Sequence, residues 1–188
     1  MCLIPSKPMT IPNLITTLRI ILVPIFVIYL INDHSLGALA VFMVAGLSDG
    51  ADGFLARLLD QKSTLGAWLD PMADKLLLVA AFIILAVREF IPNWLTVIVI
   101  TRDVLILLGV VFLFLTHHEL RIRPSLLSKI TTCLQMGTVF LVLAKESVGF
   151  LSVLVPGIYW VTALFTVASG LDYMRTWFVM MSERSDAA

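Results

Sequence analysis

Six stretches of this chain are long and apolar enough to cross a bilayer. They run at about 13–31, 36–58, 66–87, 92–115, 126–146 and 149–180, against the roughly 20 apolar residues a helix needs to span the hydrocarbon core. Polar breaks separate them: Asn32-Asp33-His34, Asp60-Gln61-Lys62-Ser63, Arg88-Glu89, the run from His117 to Pro124, and Lys145 to Gly149. The composition agrees. Hydrophobic residues make up 60% of the chain and charged residues only 14%, where soluble domains carry about 25% charge. The 188 residues therefore predict an all-α integral membrane protein, with six transmembrane helices in a single domain over 1–188. Neither an internal repeat nor a low-complexity tail is evident, apart from a short polar end after Ser182.

Loop charge gives a direction. Lys and Arg collect in cytoplasmic loops. With the N-terminus inside, Lys7, Arg57, Lys62, Arg121, Arg123, Lys129, Arg175 and Arg184 fall on the inner side, and only Arg88 and Lys145 fall outside. Both ends are then cytoplasmic. Met1 to Thr10 lacks a charged start, an apolar core and a small-residue cleavage site, so no cleaved signal peptide is expected. A bacterial inner membrane is the simplest location. Net charge is zero, a weak argument against nucleic acid, and no nucleic-acid partner is expected. Cys2 and Cys133 form no metal-binding or disulfide pattern.

Against this apolar background, residues 49–74 read DGADGFLARLLDQKSTLGAWLDPMAD. An Asp at the centre of a membrane helix costs on the order of 2.5–3.5 kcal/mol on insertion scales, and several together repel. Something must offset that cost. Asp49 and Asp52 are three apart, and Asp70 and Asp74 are four apart. Each spacing places a pair on one helix face. Two such pairs on adjacent antiparallel helices converge, and ligands that are all oxygen favour hard cations such as Mg²⁺, Mn²⁺ or Ca²⁺. Four carboxylates suffice for two metals, the arrangement common in phosphoryl chemistry. A lone intramembrane Asp serves as readily in a helix–helix hydrogen bond or a proton relay. Asp60, beside Gln61 and Lys62, reads as a solvated loop residue.

Gly46, Gly50, Gly53 and Gly66 stud the same region. A missing side chain lets a ligand or a second backbone approach closely, although tight helix packing explains membrane glycines equally well. Arg57, one turn beyond Gly53, offers a planar fork suited to phosphate and would equally serve as an inner-side anchor.

Taken together, Asp49-x-x-Asp52-Gly53-x-x-Ala56-Arg57, eight further residues, then Gly66-x-x-x-Asp70-x-x-x-Asp74 resembles the signature of the CDP-alcohol phosphatidyltransferases. The stretch from Ile11 to Arg19 and the run Asp70 to Lys75 are similar to those of the phosphatidylglycerophosphate synthase and cardiolipin synthase branch. The likeness covers roughly residues 10 to 140, and that family is built from six transmembrane helices. The resemblance implies a CDP-diacylglycerol donor. It implies two divalent cations, Mg²⁺ or Mn²⁺, on Asp49, Asp52, Asp70 and Asp74. It places Asp49, Gly53, Ala56, Arg57 and Gly66 at the CDP site and makes Asp74 the general base on an acceptor hydroxyl, with CMP leaving. Membrane lipids and a homodimer are the expected surroundings.

The acceptor has to be read from basic residues. Arg19, Lys75 and Arg102 lie within apolar stretches, and Arg121, Arg123 and Lys129 lie near the inner edge. All six are candidates for an acceptor phosphate, with headgroup anchoring the competing role for Arg121 and Arg123. Glycerol 3-phosphate is the first expectation, because that branch is nearly ubiquitous among bacteria. Phosphatidylglycerol is the alternative. The residues Thr101-Arg102-Asp103 run on into Val104-Leu105-Ile106, where phosphatidylglycerophosphate synthases usually have a Ser-Gly-Leu-Arg-like run, and this stretch looks closer to cardiolipin synthases. A transporter is the rival from another class. It would show inverted repeats or broken helices near the midplane, whereas these aspartates cluster at one end of two consecutive spans. Trp94, Trp160 and Trp177 sit near predicted span ends, as belt aromatics do.

Overall fold

A computed structural model describes the backbone of residues 11–59, 64–115 and 126–185, and the side chains of residues 20–48, 75–109, 126–175 and 177. Six α-helices follow one another: α1 (Ile11–Ile31), α2 (Ser35–Leu59), α3 (Thr64–Val87), α4 (Asn93–Leu115), α5 (Leu126–Ala144) and α6 (Val155–Ser185). A short 3-10 helix, Gly149–Val153, precedes α6. No strand occurs among the described residues.

The helices match the predicted stretches with one difference. The last stretch, expected to be continuous from 149, is divided into the 3-10 turn and α6. Pro156 is the reason. It stands in the first turn of α6, where its missing N–H breaks no helical hydrogen bond.

Helix α5, 19 residues long, is apolar enough throughout to cross a membrane; at 1.5 Å per residue it reaches about 28 Å.

The chain forms two compact units, 1–85 and 86–188. In the first, α1 and α2 pack as a helical hairpin. Phe26 and Leu30 of α1, one turn apart, are buried, as are Ala38, Phe42 and Ala45 on one face of α2. The rings of Phe26 and Phe42 lie 5.9 Å apart. The turn between the helices closes by a Schellman pattern: His34 N–H donates to Tyr29 O at 2.9 Å and Asp33 N–H to Leu30 O at 3.3 Å. Asp33 takes the left-handed conformation this requires, with φ of 59°. On α2, Gly37 leaves room for the Tyr29 ring, since a Cβ there would come within 2.5 Å of it. Along α3, Leu77, Leu78, Ala81, Phe82 and Leu85 form a buried face at helical spacing.

In the second unit α6 packs against both α4 and α5. Its contact with α5 is polar. Thr131, Gln135 and Thr138 on α5, and Thr162, Thr166 and Ser169 on α6, are all buried, and both sets repeat at i, i+4, i+7. The Thr138 and Thr162 hydroxyls are 2.7 Å apart. Thr131 donates to Phe165 O at 3.1 Å, and Gln135 Nε2 to Thr166 Oγ1 at 3.4 Å. Small hydroxylated residues let apolar helices approach closely and bond across the seam. At the end of the unit near Phe90, Tyr159 donates to Phe90 O at 2.7 Å, Lys145 lies over the Phe90 ring, and Trp94 stacks at 5.1 Å on the exposed Trp160. The two tryptophans expected near span ends thus contact each other.

Candidate active site

The acidic signature falls on two consecutive helices of the first unit. Asp49 and Asp52, with Gly53, Ala56 and Arg57, are on the C-terminal half of α2. Gly66, Asp70 and Asp74 are on the N-terminal half of α3. The helical backbone gives each aspartate pair the i, i+3 or i, i+4 spacing of one face. Helix α2 ends at Leu59 and α3 begins at Thr64, so Asp49 and Asp52 precede the connection and Asp70 and Asp74 follow it. The carboxylates thus occupy the ends of α2 and α3 nearest their connection. The side chains of these eight signature residues, and that of Arg19, lie outside the described residues, as do Asp60, Arg121 and Arg123 altogether.

Among the candidates for an acceptor phosphate, Lys75 and Lys129 are exposed. Arg102 is not; only 5% of its surface is accessible. Its guanidinium sits in a cage built from three helices. Nη1 donates to Asp103 Oδ1 at 2.7 Å. Nη2 donates to Ser128 Oγ of α5 at 2.7 Å and to Ser169 Oγ of α6 at 2.8 Å. The Tyr173 ring lies 6.0 Å away. Gly170 passes the side-chain stem, and a Cβ there would lie 3.6 Å from Arg102 Cγ, an ordinary contact. Asp103 is itself buried, so the positive charge is met by a carboxylate where water does not reach, the condition under which a buried cation persists. One nitrogen of the fork is not engaged: Arg102 Nε is buried and has no hydrogen-bond partner among the described residues.

Sequence reading singled out Arg102 but not Ser169, Gly170 or Tyr173. The available signal was the recurrence of Thr162, Thr166 and Ser169 along one face of an otherwise apolar helix. That periodicity marks a polar seam, yet it does not reveal that the seam ends on an arginine from α4.

The family profile described as CDP-alcohol phosphatidyltransferase matches residues 9–180. A cardiolipin synthase (CMP-forming) of Rattus norvegicus is 35% identical over 185 residues, covering 89% of this chain and 61% of the relative. That of Homo sapiens is 34% identical over 185 residues, covering 89% of this chain and 62% of the relative. The CDP-diacylglycerol–glycerol-3-phosphate 3-phosphatidyltransferase of Wigglesworthia glossinidia brevipalpis is 36% identical over 161 residues, covering 80% of this chain and 88% of the relative. The chain thus spans about three fifths of the length of the first two relatives and most of the third. With the profile matched over most of its length and a bacterial relative matched nearly end to end, this chain belongs to the CDP-alcohol phosphatidyltransferase family.

Proposed function

We propose that this chain transfers the phosphatidyl group of CDP-diacylglycerol to an alcohol and releases CMP. The observation that carries this reading is the complete set Asp49, Asp52, Gly53, Ala56, Arg57, Gly66, Asp70 and Asp74 on two consecutive helices. Family membership supports it. Asp49, Asp52, Asp70 and Asp74 offer oxygen donors only, which suits two hard divalent cations, Mg²⁺ or Mn²⁺. Such cations, when bound, neutralise charge developing on the diphosphate oxygens.

The protein's own groups do the rest. Arg57 grips a phosphate of the donor through paired N–H groups. Gly53, Ala56 and Gly66 keep the CDP site free of bulky side chains. Asp74 takes the proton from the acceptor hydroxyl as its oxygen bonds to the phosphorus carrying the lipid. The bond from that phosphorus to the bridging oxygen breaks, and CMP leaves with the electron pair. The six helices cross a bacterial cytoplasmic membrane, and the excess of Lys and Arg on the loops at the signature's end turns the site toward the cytoplasm.

Glycerol 3-phosphate is the acceptor in the first reading, supported by the relative named for that activity, matched over most of its length. Phosphatidylglycerol is the second reading. The cardiolipin synthases matched over 185 residues favour it, as does the run after Asp103. The test is purified protein supplied with CDP-diacylglycerol and Mg²⁺ or Mn²⁺, assayed for CMP with each acceptor offered separately. Release with one acceptor alone assigns it. Failure with both, and with other alcohols, would remove the enzyme reading.

A further inference from the structure

Two of the three guanidinium nitrogens of Arg102 are engaged by neighbouring side chains. Five N–H bonds are available on an arginine. Three are spent on Asp103, Ser128 and Ser169; both terminal nitrogens are thus engaged, and the buried Nε is the one guanidinium nitrogen with no hydrogen-bond partner among the described residues. Leaving a buried donor unmet costs about 1–3 kcal/mol. Two serines from helices 26 and 67 residues away nevertheless converge on Nη2, at 2.7 and 2.8 Å. Two anchors on one nitrogen fix the plane of the fork, since a guanidinium is rigid. Hydroxyls suit this task because they accept the hydrogen bonds without adding charge, while Asp103 supplies the single compensating charge.

We infer that Ser169, together with Ser128, is a positioning residue that holds Arg102 so that its Nε–H is kept for a phosphate oxygen of the acceptor. This rests on the reading of Arg102 as an acceptor contact. Both candidate acceptors carry such an oxygen, glycerol 3-phosphate as a monoester and phosphatidylglycerol as a diester. Ser169 itself touches no substrate. Its role is to forbid the rotation by which the fork would satisfy Nε–H elsewhere.

The experiment uses the full chain, purified in detergent, with CMP release measured against each acceptor and against CDP-diacylglycerol. Ser169→Ala should raise the acceptor KM by roughly tenfold, the worth of one charge-assisted hydrogen bond, with the CDP-diacylglycerol KM unchanged. Ser169→Thr, which keeps the hydroxyl, should restore most of that loss. In an Arg102→Lys background, which lacks the fork, Ser169→Ala should add nothing further. The acceptor whose KM moves identifies which phosphate is bound. If Ser169→Ala does not fold, Ser128→Ala removes the other anchor on the same nitrogen. An unchanged acceptor KM in Ser169→Ala, while Arg102→Lys raises it, overturns the positioning role alone. A parallel rise in both KM values, or a full effect of Ser169→Ala in the Arg102→Lys background, overturns it too, because packing alone would then account for the loss. If Arg102→Lys leaves the acceptor KM unmoved in an enzyme that releases CMP, Arg102 is not an acceptor contact and the inference falls with that reading. No CMP release by the unaltered chain with either acceptor overturns both.

Discussion

The carboxylates of α2 and α3 and the arginine of α4 pose the same electrostatic problem, charge inside an apolar protein, and meet it differently. The acidic residues stand on one pair of consecutive helices, and in the proposed function their charge is compensated by a ligand, the divalent cations. The Arg102 cage compensates itself, with Asp103 next to it in sequence and serines drawn from helices 26 and 67 positions away. A site that a ligand completes is written as a local pattern, because the ligand does the gathering. One that the protein completes is scattered, because folding does the gathering.

Substitutions in the two regions should therefore fail in different ways. Asp74→Asn removes the proposed base and one metal ligand, and should lower turnover by about 10²–10⁴-fold while the melting temperature of the purified protein stays near that of wild type. Full activity in that variant would sink the base assignment. Arg102→Met does the opposite kind of damage. It strips the cation from the buried Asp103 carboxylate and should cost about 3 kcal/mol of stability, read as a large drop in thermal unfolding temperature before any kinetic effect is considered. An unchanged unfolding temperature would mean that the cage is not a stabilising element.

These two substitutions also separate what a reader of the sequence alone could see. Asp49, Asp52, Asp70 and Asp74 were legible because helical spacing depends only on the backbone, and α2 and α3 do form where apolar runs placed them. The identity of Arg102 as a candidate was legible from its position in an apolar stretch. Its burial and partners were not, since nothing in the local sequence states that Ser169 will lie beside it. The division of the last apolar stretch was missed for a related reason. Pro156 is compatible with a bend inside a long helix and with the first turn of a new one, and it stands in the first turn of α6.

Smaller effects sharpen the contrast. Thr138→Val deletes the hydroxyl that meets Thr162 at 2.7 Å and should cost about 0.6–1 kcal/mol, the usual worth of such a bond between membrane helices. Helix separation measured by crosslinking between α5 and α6 should stay unchanged, because five other polar residues still line the seam. A loss of several kcal/mol would show that the seam acts as one network. Asp33→Gly relieves the left-handed backbone at the α1 C-terminus, where φ is 59°, and should stabilise the first unit by about 0.5 kcal/mol. A decrease in stability there would mean the Asp33 side chain holds the turn. Asp60→Asn lies between the two acidic pairs in sequence and should leave CMP release within about twofold of wild type, as for a solvated surface residue.

By itself the sequence determined the number and order of the helices, through apolar length, and the register of the acidic pairs, through 3.6-residue periodicity. Its signature residues also determined the family. Both kinds of information are local: a residue's place on its own helix follows from counting. Only the tertiary structure decided that α5 and α6 together close the Arg102 cage, and that Thr138 meets Thr162. Those choices depend on which helix faces pack together, and that outcome is settled by the fit of whole surfaces rather than by any short run of residues.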